Sequence, residues 1–279
     1  MMRNFFIFAI ASLVFAVCSC DPVIDDQSMG SILPPDKLDI EVANVTEGSN
    51  AIVLKNNTPR TGSYWDFGIG TSTRQCDTIV MPYLGDITIK FIGLCDGGQV
   101  AATRTAHITK IDHPVQKEWT LFAGNGIAGK AWTWNVEGTD GNVYGTAGWL
   151  TQDAPAWDVK PLDELEDRNC SIVFDLNGGA NVSKIDANGK VLEKGTFSFD
   201  MNATKNNPDN GQQWSIGQLT LSGVTMLSGH AFYDPSNKVS TFEILKLSDN
   251  ELVLCYNTPD AEAWTDATFW MLCVKPSTK

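Results

Sequence analysis

Short runs in which apolar and polar residues alternate recur along this chain, cut by turn-forming Gly, Asn, Asp and Pro. A period of two puts one side of a segment on a core and the other in water, the pattern of a half-buried strand. Residues 38–42, 87–92 and 214–221 read this way, and residues 51–54 form a continuous buried run. No long stretch repeats at the helical period. Such a chain buries its apolar faces by stacking or closing sheets, so the expected class is all-β.

The N-terminus has a different texture. Arg3 precedes an apolar run, residues 5–17, that ends in small residues. This is the form of a secretory signal, short for a segment that must span a bilayer. The end of the run, Val17-Cys18-Ser19-Cys20, resembles a bacterial lipobox. The resemblance implies removal of residues 1–19 and diacylation of the Cys20 thiol; Cys18 fits less well, because bulky Val17 precedes it. A lipidated Cys20 makes a protein that is membrane-anchored and does not span. Residues 20–33 lack apolar periodicity and read as a tether. Its early acids, Asp21, Asp25 and Asp26, resemble the export signal of Bacteroidetes lipoproteins, which implies the outer face of the outer membrane.

The net charge is −13, and no basic patch is present to neutralise phosphates, so a nucleic-acid partner is not expected. Five cysteines follow Cys20, an odd number. Either Cys76 pairs with Cys95 and Cys255 with Cys273 across neighbouring strands, or all of these, with Cys170, act as small buried hydrophobes. His107, His113 and His230 are scattered without metal-ligand spacing, so no metal and no cofactor are expected.

Two domains suit this length. Residues 34–112 carry strands at the spacing of a small immunoglobulin-like sandwich, with Asp96-Gly97-Gly98 as a hairpin turn. Tyr64-Trp65-Asp66-Phe67-Gly68-Ile69-Gly70 looks like the core motif of PKD domains, and Tyr83-Leu84-Gly85-Asp86-Ile87-Thr88-Ile89 like the strand after it. The resemblance implies a spacer or interaction module with Trp65 at its buried centre. Ile69 stands where that family usually has an acid, which removes support for a polar role of the loop.

Pro114 marks the boundary, and residues 117–279 form the second domain. Nine tryptophans occur in the chain, and all but Trp65 lie beyond Glu118. Trp119-Thr120-Leu121-Phe122 reads as the start of a strand, and Trp132 and Trp134 share a strand face. Residues 145–168 read as irregular, with a short helical turn at 161–166. Hairpins are expected around Asp186-Ala187-Asn188-Gly189 and Ser248-Asp249-Asn250, a polar loop over 206–213 and a last strand over 267–274. The arrangement is a sandwich, a jelly roll or a barrel. Residues 243–254 look like a hairpin of lipocalin-like Bacteroidetes lipoprotein domains.

A sugar offers hydroxyls at its rim and C–H groups on its face. An aromatic ring beside polar side chains can bind both. Trp149, Gln152, Trp157 and Asp158 lie together in one Pro-containing stretch, Trp214 follows the polar loop, and Trp264 sits in an acidic loop. These six are the expected ligand residues. No Glu-x-Asp-x-x-Glu or Gly-x-Ser-x-Gly pattern occurs, so no enzyme activity and no catalytic residue are expected. As a whole the chain resembles a Bacteroidetes surface lipoprotein of a glycan-utilisation system. That resemblance implies non-covalent capture of a polysaccharide or oligosaccharide beside an outer-membrane importer. Two other readings stay open: a lipocalin-like carrier of an apolar ligand, and an adhesive or structural protein without a small-molecule site.

Overall fold

A computed structural model describes residues 30–276. The expected signal peptide, Cys20 and most of the tether lie outside the described residues.

The N-terminal unit is antiparallel: β1 (Ile40–Asn44), β2 (Ala51–Asn56), β3 (Gly62–Asp66), β4 (Thr71–Ser72), β5 (Cys76–Val80), β6 (Gly85–Cys95) and β7 (Gly98–Ile108). They form a three-stranded sheet, β1-β2-β5, and a four-stranded sheet, β4-β3-β6-β7. Ile52, Leu54, Ile89 and Phe91 belong to one buried cluster with Trp65, which is 0% exposed. The Trp65 ring lies 4.5 Å from Phe91, and its Nε1 donates to the Arg74 carbonyl at 3.1 Å, which satisfies the one polar atom burial would otherwise orphan. Asn50, fully buried, clamps the chain's exit. Its Oδ1 accepts from the amides of Asp112 and His113, and its Nδ2 donates to the carbonyls of Met81 and His113.

The second unit opens with a helix, α1 (Lys117–Ala123), where a strand is expected from the sequence. Its strands are β8 (Lys130–Trp134), β9 (Tyr144–Gly148), β10 (Ser171–Asp175), β11 (Asn181–Ile185), β12 (Val191–Asp200), β13 (Lys205–Asn206), β14 (Gln213–Ser215), β15 (Gly217–Ser222), β16 (His230–Ala231), β17 (Asp234–Lys238), β18 (Thr241–Leu247), β19 (Glu251–Tyr256) and β20 (Asp266–Val274). Neighbours run β19-β18-β15-β12-β11-β10-β8-β20, and β20 pairs back onto β19. The result is a closed eight-stranded antiparallel barrel. Closure leaves the eight-strand ring without a free edge and excludes the open sandwich and the jelly roll.

The barrel interior is packed with side chains. Trp132, Trp270, Phe174 and Phe242 are 0% exposed. One mouth is plugged by α1: Phe122 lies 5.4–5.8 Å from Phe174, Phe197 and Phe199, and Trp132 Nε1 donates to the Phe122 carbonyl at 2.8 Å. The other mouth is closed by the segment carrying Met226 and Leu227, where Trp270 Nε1 donates to the Leu227 carbonyl at 2.8 Å. A lipocalin-like apolar cavity would need this volume, and indole and phenyl rings fill it.

The stretch expected to be irregular contains β9, which continues β8 along one edge of β20. Trp134 faces Leu272, and after a looped-out segment Tyr144 faces Trp270. On its free edge β9 takes residues 156–160, through Thr146 N to Asp158 O at 2.7 Å and Lys160 N to Tyr144 O at 3.1 Å. Gly145 allows this approach, since a Cβ there would stand 2.2 Å from the Asp158 carbonyl oxygen.

All five described cysteines are free. Register explains why Cys255 and Cys273 do not pair: Cys255 faces Phe269 and Cys273 faces Glu251, four residues apart along the strands. Cys76 and Cys95 lie on different sheets.

Candidate functional site

β9 divides the six expected ligand residues between the two faces of the barrel wall. Its outward side carries Ala147 and leads to Trp149. There Trp149 is 4% exposed and Trp214 9% exposed, in a cluster with Phe269 and Cys255. These two indoles therefore do not present a ring to solvent. The reason is amphipathic: β14 folds over the outer wall, and Trp214 Nε1 reaches the Gln152 carbonyl at 2.7 Å. Lys205 lies over the Trp149 ring, 5.9 Å from its centre, and leans towards the buried Glu243 carboxylate at 3.7 Å. Glu243 also accepts from Ser215 and Gln218, each at 2.9 Å.

The other side of β9 continues the barrel interior past the Met226–Leu227 mouth and becomes a rim. Along it, Tyr144, Thr146 and Gly148 face Trp270, Thr268 and Asp266 in turn. The Trp264 ring packs over Gly148, where a Cβ would meet Cε3 at 3.0 Å. The indole is 52% exposed, and its Nε1 donates to Asp209 Oδ2 at 2.9 Å. Trp264 has φ +65, a strained value for a bulky residue, and strain of this kind gathers at functional sites. A two-way clasp holds it there: Trp264 N donates to Trp149 O at 3.0 Å and Trp149 N to Thr265 O at 2.8 Å.

One residue pair further along the rim, Tyr233 donates its hydroxyl to Asp158. The carboxylate beside it pushes the Tyr233 hydroxyl above its ordinary range. Asp158 N in turn donates to Thr146 Oγ1. Tyr233 is 60% exposed and Trp157 44%. Gln152 is half-buried, and its Oε1 accepts the Gly148 amide at 2.8 Å. Trp264, Gln152 and Asp158 thus gather along this side of β9, with exposed Trp157 next to Asp158 in the chain, while the Trp149 and Trp214 rings lie on the other side, where Trp214 bonds the Gln152 carbonyl.

A cavity of about 470 Å³ opens beside this rim, lined by Lys160, Asp167, Lys184, Glu193 and His230 among others. Lys184 and Asp167 meet at 2.7 Å, both largely buried, and Asp167 also accepts the Ser228 amide. Tyr144 donates to the His230 carbonyl at 2.8 Å, and burial pushes its hydroxyl well up. Sequence reasoning missed Tyr233, Thr146 and Lys160. Tyr233 stands beside Asp234 and Phe232, an aromatic among hydrogen-bonding groups, so the criterion applied to tryptophans would have found it if applied to tyrosines.

Among the described residues no three His, Cys, Asp or Glu side chains converge to hold a metal ion, and no helix is long and apolar enough to cross a membrane. No protein-family model matches the chain, and no curated protein is significantly similar to it.

Proposed function

We propose that this protein binds a polysaccharide non-covalently at the rim formed by Trp264, Tyr233, Asp158 and Trp157, and breaks no bond in it. The observation that carries the reading is the half-exposed, backbone-strained Trp264 indole on one face with an exposed Tyr233–Asp158 pair. Rings offer the apolar faces of sugars large contact areas at low entropic cost, and the carboxylate and hydroxyl beside them meet sugar hydroxyls. In this reading a diacylated Cys20 anchors the chain to the outer membrane. The N-terminal unit is a PKD-like immunoglobulin-type spacer that holds the barrel clear of the lipid. The glycan is passed to an outer-membrane importer.

The test is affinity electrophoresis of the purified protein through gels cast with individual polysaccharides. Retardation by at least one neutral polysaccharide is expected, and Trp264→Ala should abolish it without loss of folding. Equal retardation of wild type and variant by every polysaccharide tried would remove the rim from the account.

A further inference from the structure

A second cavity, about 560 Å³, lies at the opposite end of the barrel, where the N-terminal unit meets it. The two units join through main chain: Leu84 N donates to Leu176 O at 3.0 Å, and Gly178 N to Leu84 O at 2.6 Å. Tyr83 meets Trp119 of α1 edge-on, with ring centres 5.8 Å apart. A Cβ on Gly85 would stand 2.8 Å from Asn177 Oδ1. Walls held this way are already arranged before a ligand arrives, which keeps the ordering cost of binding low.

One wall is the β3–β4 turn, the tip of the motif that resembles PKD domains. Phe67 N donates to Gly70 O at 3.1 Å, and Asp66 Oδ1 accepts the Gly68 amide at 2.9 Å. The Phe67 ring folds back over Gly70, where a Cβ would stand 2.7 Å from it. The floor is aromatic: Trp119 and Phe199, both half-buried, lie 4.5 Å apart, with Phe197 buried beside them.

The facing wall is a grid of hydroxyls on the outer surface of β12 and β15. Register sets Thr196 opposite Ser222 and Ser198 opposite Thr220. Facing Cβ atoms in such a pair stand about 5 Å apart, and successive pairs about 7 Å. Of the four, only Thr220 bonds another described side chain, Thr241 at 3.4 Å. The cavity's one charged lining residue is Asp86, which is engaged by His107 at 2.6 Å. Among the described residues no Lys or Arg lines it to recognise phosphate, sulfate or carboxylate. Hydroxyls that donate and accept on one side, with the aromatic edge of the barrel mouth beside them, match a neutral sugar.

We infer that this junction cleft is a second carbohydrate site, which takes a short neutral oligosaccharide segment between the Phe67 turn and the β12–β15 hydroxyls. It goes beyond the rim reading and does not depend on it. The test is calorimetric titration of the purified protein with neutral linear hexasaccharides of the cello-, malto-, xylo- and manno- series. Hydrogen exchange is followed in parallel at residues 67–70 and 196–198. The triple variant T196V/S198A/T220V removes hydroxyls from the surface and leaves the core intact; Phe67→Ala shortens the opposite wall.

At least one hexasaccharide should bind and slow exchange in both segments. The triple variant and Phe67→Ala should each weaken it about tenfold or more, the scale of losing well-placed contacts. Hexasaccharide binding that survives both cleft variants and is lost in Trp264→Ala overturns the cleft and leaves the rim standing. Absence of hexasaccharide binding with polysaccharide retardation intact does the same, and absence of both overturns both sites.

Discussion

Trp149 and Trp214 meet edge to face on the outer wall of the barrel, ring centres 4.9 Å apart at 74°. Their contact fixes β14 and the 149–152 turn to β20, and it makes these rings part of the fold. Trp149→Ala should therefore destabilise the protein by about 3–5 kcal/mol, the range for large aromatic deletions in a core. Trp264→Ala removes a half-exposed ring and relieves little packing, so its midpoint in a urea titration should stay near the wild type's. Equal destabilisation by the two variants would contradict the assignment of opposite faces.

The ion pair of Lys184 and Asp167, with side chains 11% and 13% exposed, holds the segment that closes the distal mouth, since Lys184 also donates to the Met226 carbonyl and Asp167 accepts the Ser228 amide. Lys184→Met keeps the volume and strands the carboxylate. Removing one partner of a buried pair costs about 3–5 kcal/mol. The predicted signature is a lower denaturation midpoint with an unchanged m-value, since the native packing is otherwise kept.

Burial pushes the Tyr83 hydroxyl up to about 12, against a hydrogen bond from the Ala180 backbone, and Tyr144 also shifts upward. Below the ordinary tyrosine pKa both states are neutral and stability does not depend on these groups. As pH rises above about 10, the unfolded chain releases protons that the folded chain keeps. Stability should then fall by up to about 1.4 kcal/mol per pH unit for each group. Denaturation series across this range should show a shallower decline in Tyr83→Phe; an identical slope would mean that Tyr83 ionises freely in the folded protein.

The five described cysteines are free and give a simple chemical readout. Cys76 is exposed and should react with a thiol reagent in the native state. Cys255 is fully buried, and desolvation holds its thiol well above the ordinary range, so it should react only after unfolding. A reducing agent should leave the thermal midpoint unchanged.

Much of the sheet structure was legible because period-two alternation reports one-sided burial directly. The β11–β12 and β18–β19 hairpins fall where Asp186-Ala187-Asn188-Gly189 and Ser248-Asp249-Asn250 separate apolar runs. Closure of the barrel was not legible, since it depends on β20, the last strand, pairing with β8, the first, which no local pattern encodes. The segment at Trp119 misleads because a short apolar run fits a buried strand or a helix equally. It is helical where Phe122 must fill a round barrel mouth. For the candidate site, composition singled out aromatic residues but could not tell which face of the wall each would occupy. Trp149 and Trp264 both lie in polar turns, and the alternation of β9 together with the cover from β14 buries one and bares the other. Trp65 as a buried centre was readable, because a Trp among glycines and strand residues has few other places to go.

The most direct measurement is the mobility of the purified protein and its W264A/Y233F double variant in gels that contain neutral polysaccharides. Selective retardation of the wild type, lost in a variant whose unfolding midpoint is preserved, is the predicted result. Unretarded wild-type protein across the whole series, or retardation that persists in the double variant, would contradict carbohydrate capture at the distal rim.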